Sequence, residues 1–399
     1  MNQVVRRLMR YRALVVTWLL AFAQPIFAQA TVSGSVYEDR NGNGRRDAGE
    51  PGVARAAVSN QVDVVVTDAN GAFTLPGSGT GVVFVSVPDG FRSSGSFWQP
   101  IAAGAASFGL VSAPAGEFAF IHASDTHIQP SAVARFDRLR VIVDSVSPAF
   151  LLITGDLVRD ALRVGEAEAT GYYELFGREA GKIRVPVWTV PGNHELFGIE
   201  RTRSGVSADH PLYNRGMYRH YRGPDYYSFT AGGVHFVGLN TADTNDQWYY
   251  GHVDSTQLKW LERDLSFVPP NVPVVTFNHI PFVSAKMAMD GYTDEPPAPT
   301  TIRIGDKDQY RHVASNLDEL LTVIRERPFP LALGGHLHTR ERIEFGTTGR
   351  DPTRFEQTAA VVGPAGPSWL PMASGVTVYR VRDGRISVGE FVRLDPARR

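Results

Sequence analysis

Phe150-Leu151-Leu152-Ile153, closed two residues later by Gly155-Asp156, is the stretch on which the fold turns. A continuous apolar run of this length suits a strand buried on both faces, as in a parallel sheet covered by helices. The run delivers a carboxylate at its C-terminal end. The same arrangement recurs along the chain. Residues 118–123 lead to Asp125-Thr126-His127, and residues 185–190 lead to Gly192-Asn193-His194-Glu195. Residues 272–277 lead to His279, and Leu331-Ala332-Leu333 leads to Gly335-His336-Leu337-His338. Phe136, Leu139 and Val143 mark one face of an intervening helix. Strands alternating with helices define an α/β class, and open α/β sheets place their sites just beyond the C-terminal ends of strands.

Asp125, His127, Asp156, Asn193, His279, His336 and His338 are therefore candidate metal ligands. Mixed Asp, Asn and His donors suit borderline cations such as zinc, manganese or iron, not an all-oxygen calcium site. Asp125 and His127 stand two apart, as do His336 and His338, so each pair points to one side of an extended segment. Gly155 would permit close backbone approach beside a carboxylate that bridges two cations. Singly, each cluster has a bland counterpart: Gly-Asp is a common turn pair, and a lone His279 suits a structural histidine. Five independent coincidences at strand ends do not.

These blocks resemble the calcineurin-like metallophosphoesterase superfamily, whose pattern is Asp-x-His, Gly-Asp, Gly-Asn-His-Asp/Glu, His and Gly-His-x-His. The resemblance covers residue 118 to the C-terminus. It implies a four-layer αββα sandwich in which both sheets deliver ligands to one edge. It also implies two transition metals (Mn, Zn or Fe, divalent or mixed-valence). Asp125, His127, Asp156 and His338 would hold one, and Asp156, Asn193, His279 and His336 the other. Two cations about 3.5–4 Å apart share a hydroxide whose parent water has its pKa lowered from about 15.7 towards about 7. His194, not needed as a ligand, is the candidate proton donor to the leaving group. A small phosphate ester is the implied substrate, and the cyclic-nucleotide phosphodiesterase-like branch favours a diester over a monoester.

The second block reads Gly155-Asp156-Leu157-Val158-Arg159-Asp160. It lacks the Asp-Arg-Gly of protein phosphatases and the tyrosine of purple acid phosphatases. Arg159 either touches phosphate or forms a surface ion pair. The segment 196–224 carries Arg201, Arg203, Tyr213, Arg215, Tyr218 and Arg219, suited either to a phosphate with an organic group or to a solvated loop. His122 and His235 are expected to pack within strands. His252 precedes a helix whose cap is Asp254, with Gln257 completing a capping box. His210, His220 and His312 lie in loops without an assigned role.

The chain has 399 residues with 40 Lys and Arg against 41 Asp and Glu, net charge −1, and no cysteine. No basic tract argues for nucleic acid or an anionic membrane. Arg6, Arg7, Arg10 and Arg12 precede an apolar run at 13–23, and Ala28-Gln29-Ala30 offers a cleavage site, so residues 1–30 read as a signal peptide for periplasmic or secreted export. No other segment is long and apolar enough to cross a bilayer. The oligomeric state is left open.

Residues 31–112 have another texture, with short strand-like runs (32–37, 62–67, 72–75 and 82–87) broken by Gly and Asn-Gly turns, as in a small β-sandwich. Within it, Asp39, Asn41, Asn43, Arg45, Asp47 and Glu50 occupy the ligand positions of a twelve-residue calcium loop, with Gly44 at the sharp turn. This region resembles calcium-binding B-type repeat and transthyretin-like modules. Residues 117–345 form the expected catalytic domain after a linker at 113–116. In 346–399, strands at 358–362, 376–381 and 385–392 complete its sheet or form a small C-terminal domain. A competing reading is a calcium-dependent surface-binding protein whose phosphoesterase-like domain is inactive.

Overall fold

A computed structural model describes residues 31–77, 79–101, 105–113, 116–295, 299–346, 351–363 and 372–395. The expected signal peptide, 1–30, and part of the expected linker lie outside them. Among the described residues, no helix is long and apolar enough to cross a membrane.

Six strands form the first sheet, in the order Val187–Val190, Phe150–Thr154, Phe118–Ala123, Gly375–Arg382, then Arg385–Ile386, with Glu390–Arg393 also paired to Gly375–Arg382. The first three are parallel, and Gly375–Arg382 runs antiparallel to Phe118–Ala123. The second six-stranded sheet runs Tyr227–Ala231, Val234–Leu239, Val274–Asn278, Leu331–Gly334, Thr353–Gln357, Glu341–Phe345. Alternation along Phe150–Thr154 explains its continuous apolar character: Phe150 and Leu152 face the second sheet, Leu151 and Ile153 the helices.

Between the sheets lies an aromatic layer. Phe120 stacks on Tyr379 at 5.0 Å and meets Phe236 edge-on at 5.4 Å, while Trp188 stacks on Phe229 at 4.2 Å. Helices Val133–Val146 and Glu166–Ala180 cover the outer face of the first sheet through Phe136, Leu139, Val143, Tyr173 and Phe176. Helices Ser255–Ser266 and Leu317–Ile324 cover the second through Leu258, Leu261, Leu265, Leu320 and Ile324. The result is the αββα architecture.

Residues 31–112 form two four-stranded sheets. Val82–Ser86 is buried along its whole length because it is covered on both sides. Phe84 reaches Tyr227 and Trp260, with ring centroids 6.4 and 6.3 Å apart. Buried polar groups pair across the same surface: Ser86 Oγ with Ser228 Oγ at 2.8 Å, and Trp260 Nε1 donating to Ser59 Oγ at 3.1 Å. Asp89 accepts from Gly232 N and Gly233 N at 2.8 and 2.9 Å, holding the hairpin turn of the second sheet. One continuous core joins the two regions.

Several expected boundaries shift. The strand expected at 358–362 lies upstream, at Thr353–Gln357. Residues 358–362 instead run beneath the metal loops, where Val361 N and Val362 N donate to Ser124 O and Asp125 O at 3.0 Å. The run at 385–392 divides into Arg385–Ile386 and Glu390–Arg393, because Ser387 turns its amide and hydroxyl to Arg380. Asp254 caps its helix, accepting from Thr256 N and Gln257 N at 3.0 Å. The Gln257 side chain does not complete a capping box, since it bonds both backbone groups of Asn240 at 2.8 and 2.9 Å. Ala57–Ser59, Phe91–Ser93, Trp98–Pro100 and Ala105–Ser112 add strands whose apolar signal is short or interrupted.

Candidate metal centre

The loops leaving Phe118–Ala123 and Phe150–Thr154 are stitched together by backbone bonds: Asp125 N to Gly155 O at 3.1 Å, and His127 N to Asp156 O at 2.9 Å. Gly155 has φ +78°, and a Cβ there would lie 2.6 Å from the His279 ring. A Cβ on Gly192 would lie 2.2 Å from Asp156 Oδ1. Both glycines let backbone pass where a side chain would displace a candidate ligand.

All seven candidate ligands converge. Asp125, His127, Asp156 and His338 form one cluster, and Asp156, His279 and His336 another, with ligand atoms inside each within 4.8 Å of one another. Asn193 Oδ1 joins the second cluster, 3.3 Å from His279 Nε2. Asp156 divides its two oxygens between them: Oδ2 lies 3.4 Å from His127 Nε2, and Oδ1 lies 3.2 Å from His279 Nε2. His338 Nε2 stands 3.2 Å from both Asp125 Oδ1 and His127 Nε2. His336 Nδ1 stands 3.1 Å from His279 Nε2. His279 Nδ1 donates to Thr154 O at 2.8 Å, which directs its Nε2 inward.

Electrostatically the cluster calls for positive charge. Asp125 and Asp156 are buried, which by itself disfavours the carboxylate. Neighbouring imidazoles outweigh burial, chiefly His338 for Asp125 and His279 for Asp156, holding both below the usual carboxylate range. Burial opposes a charged ring at His279, yet the Asp156 carboxylate lifts it to about 9. His127, by contrast, is pushed down to about 4, mainly by burial. Asp125 Oδ1 is buried and makes no well-aligned hydrogen bond, with His338 Nε2 3.2 Å away. Converging imidazole nitrogens and two buried carboxylates, one with an oxygen lacking a well-aligned hydrogen bond, fit a pair of cations that replace the protons.

Backbone strain marks the same residues. Asp125, His127, Asp156, His336 and His338 have φ of 55°, 37°, 49°, 73° and 52°. This left-handed region costs about 1–2 kcal/mol per residue outside glycine, and strain of that kind collects at functional sites.

Glu195 supports the centre without joining it. Its buried carboxylate accepts from Val158 N at 3.0 Å and Gly192 N at 2.6 Å, tying the Asp156 and Asn193 loops together. Burial, reinforced by the Asp156 charge, pushes it up to about 8. His194 is held by Nδ1 donating to Arg159 O at 2.9 Å, and its Nε2 faces Asp156 Oδ2 at 3.9 Å. Arg159 thus contributes its carbonyl to the site.

Four arginines of segment 196–224 are engaged by carboxylates, whereas Arg222 lies over the Phe176 ring at 5.0 Å. Arg201 pairs with Asp246, Arg203 with Glu200, Arg215 with Asp243 and Asp254, and Arg219 with Asp225. These pairs brace helix Arg215–Arg222 and its surroundings. His122 and His235 lie buried within strands, bonded to Thr154 and Asp264 as expected of packed histidines.

In the N-terminal loop, Asp39 accepts from the amides of Gly42, Asn43 and Gly44 at 2.8, 3.1 and 2.7 Å. Asn41 and Asn43 both donate to Asp47 Oδ2 at 2.8 Å, and Glu50 accepts from Arg40 N and Asp47 N at 2.9 Å. The two carboxamides would have to turn over to offer oxygens to calcium.

A family model for calcineurin-like phosphoesterases matches residues 118–340. A 3′,5′-cyclic-nucleotide phosphodiesterase from Nostoc sp. is 26% identical over 213 residues, 53% of this chain; the match spans 62% of that relative's length. Among solved structures, a dimetal phosphatase from Danio rerio is 15% identical with a TM-score of 0.45, covering 70% of this chain and 96% of that one. GAP50, the anchor in the inner membrane complex of Plasmodium, is 15% identical with a TM-score of 0.43, covering 71% of this chain and 86% of its own.

His312 is the residue whose importance was not legible. Its Nδ1 lies 2.7 Å from His336 Nε2, and the two rings stack at 4.9 Å. With Nδ1 of His336 turned to the cluster, His312 holds the outer nitrogen and so the ring's tautomer and angle. Such partners typically contribute about 10–100-fold to metal affinity. His312→Ala is expected to weaken metal binding by that factor with the fold intact, measured by calorimetric titration of the metal-free protein with Zn²⁺ or Mn²⁺.

Proposed function

The chain belongs to the calcineurin-like phosphoesterase family, and on that premise we propose that it is an exported, dinuclear-metal hydrolase of small phosphate esters, with diesters preferred over monoesters. The division of Asp156 between two clusters carries this reading. Asp125, His127, Asp156 and His338 would hold one ion, and Asp156, Asn193, His279 and His336 the other. Their nitrogen and oxygen donors suit Mn, Zn or Fe. When bound, such a pair supplies Lewis acidity that neutralises phosphate charge and acidifies water towards neutral pH.

His194 is the proton donor in this reading. Arg159 O takes its Nδ1–H, and Asp160 Oδ1 lies 3.8 Å from the same nitrogen. That turns Nε2 to the cluster side, where the ring donates in its imidazolium form, with a second proton on Nε2. The proton passes to the departing ester oxygen as its bond to phosphorus breaks, and solvent returns it. The diester preference draws on the Nostoc relative, a cyclic-nucleotide phosphodiesterase.

Purified protein is expected to carry about two transition-metal ions per chain and to hydrolyse bis(4-nitrophenyl) phosphate faster than 4-nitrophenyl phosphate. Fewer than one ion and turnover of neither would instead favour an inactive, calcium-dependent binding protein. His194→Ala should retain metal and lose about 10²–10⁴-fold in rate on alkyl esters, far less on nitrophenyl esters. Equal losses on both would remove the donor role.

Export rests on the arginine-led apolar segment and on Ala28-Gln29-Ala30. Cell fractionation followed by N-terminal sequencing should find a mature chain starting near Thr31; a cytoplasmic chain retaining Met1 would contradict it.

Calcium in the loop Asp39, Asn41, Asn43, Arg45, Asp47 and Glu50 completes the proposal, with affinity of about 10⁻⁴–10⁻³ M. At about 10 mM calcium that affinity corresponds to about 1.4–2.7 kcal/mol of stabilisation. Full-length protein should therefore melt higher with calcium, and Asp47→Ala should abolish the increment. A melting temperature indifferent to calcium would end the calcium assignment.

A further inference from the structure

Beside His336 lies a cleft of about 360 Å³, lined among others by Lys286, Met287, Tyr292, Thr300 and His312. Its size lies in the range of about 300–1,000 Å³ that takes small molecules.

Its charge balance decides what it can hold. The N-terminus of helix Ala285–Asp290 is already matched by Glu341, which accepts from Ala285 N at 2.8 Å and Lys286 N at 3.2 Å. Lys286 is paired with Asp290. Thr300 Oγ1 is occupied by the backbone of Thr293, accepting from its amide at 2.8 Å. Features that would attract an anion are therefore neutralised within the wall. What remains is flat or soft surface: the stacked His312 and His336 rings, the Met287 side chain, and the Tyr292 ring. Tyr292 is 46% exposed and is backed by Tyr310 at 4.8 Å, so an aromatic face is held open to solvent next to the metal cluster.

We infer that this cleft receives an uncharged aromatic ring of the phosphate ester while the phosphate lies at the Asp156 clusters. The inference rests on the phosphoesterase reading and specifies its substrate class. The ring stacks on Tyr292 and lies against Met287, and His312, fixed on His336, forms a further wall. Ring and phosphate are thus bound by different walls, so each can be weakened alone.

The test compares wild type with Tyr292→Ala and Tyr292→Phe, using bis(4-nitrophenyl) phosphate as substrate and inorganic phosphate, adenosine and 4-nitrophenol as inhibitors. Removing one stacking face is expected to raise KM about ten-fold, with the change falling on KM more than on kcat. Inhibition by phosphate and metal content should stay constant, and Tyr292→Phe should restore KM. Loss of adenosine inhibition in Tyr292→Ala would identify the ring as a nucleobase, and loss of 4-nitrophenol inhibition alone as a simple aryl group. An unchanged KM in Tyr292→Ala, with wild type turning over, overturns the ring site and leaves phosphoesterase activity standing. Conversely, calorimetric binding of adenosine or 4-nitrophenol, weakened by Tyr292→Ala in a metal-loaded protein that hydrolyses nothing, would support the ring site and overturn the phosphoesterase reading.

Discussion

One buried carboxylate organises this molecule. Asp156 is almost wholly removed from water, and an unpaired carboxylate in that position costs several kcal/mol. The surrounding fold answers that cost from two sides. His127 approaches one oxygen and His279 the other, and His194 N donates to Oδ1 at 3.0 Å. Because the oxygens face opposite ways, the groups that satisfy them must come from different loops, and those loops must come from both sheets. The left-handed backbone of Asp125, His127, Asp156, His336 and His338 results from this convergence, as does the requirement for glycine at 155 and 192.

Such a concentration of strain and charge needs a stiff scaffold. Parallel strands buried on both faces end at a common edge, and the aromatic layer around Phe120, Phe229, Phe236 and Tyr379 fixes one sheet against the other. The N-terminal sheets add to this scaffold through Phe84, Trp260 and the buried Ser86–Ser228 pair. Their core is continuous with that of the phosphoesterase region. That continuity makes the N-terminal region part of the support for the edge strand Tyr227–Ala231 and for helix Ser255–Ser266.

Legibility varied with the range of the interaction that decides each feature. The metal blocks stood out because each couples a local pattern, an apolar strand, to a chemically distinctive end. The helix carrying Phe136, Leu139 and Val143 was equally plain from its spacing, and all three are buried. His312 was hidden: it stands 24 residues before His336 with no motif around it, and only the return of the chain brings the rings together. The partners of the arginines in 196–224 were hidden for the same reason. Their composition suits phosphate, while Asp225, Asp243, Asp246 and Asp254, all further along the chain, pair with Arg201, Arg215 and Arg219.

Local sequence by itself determined the α/β class, the seven converging side chains and the contrast between the Gly-rich N-terminal region and the phosphoesterase region. Those features depend on periodicity and on residue chemistry within a few positions, so they are written in order along the chain. Tertiary structure alone decided how Asp156 is shared, which nitrogen of each histidine faces inward, and that a cleft with an open aromatic face adjoins His336. It also decided that the cleft's wall is electrically balanced, since Glu341 reaches the helix N-terminus from more than fifty residues away. Distances of a few ångströms between residues far apart in sequence set all of these, and only the packed sheets fix such distances.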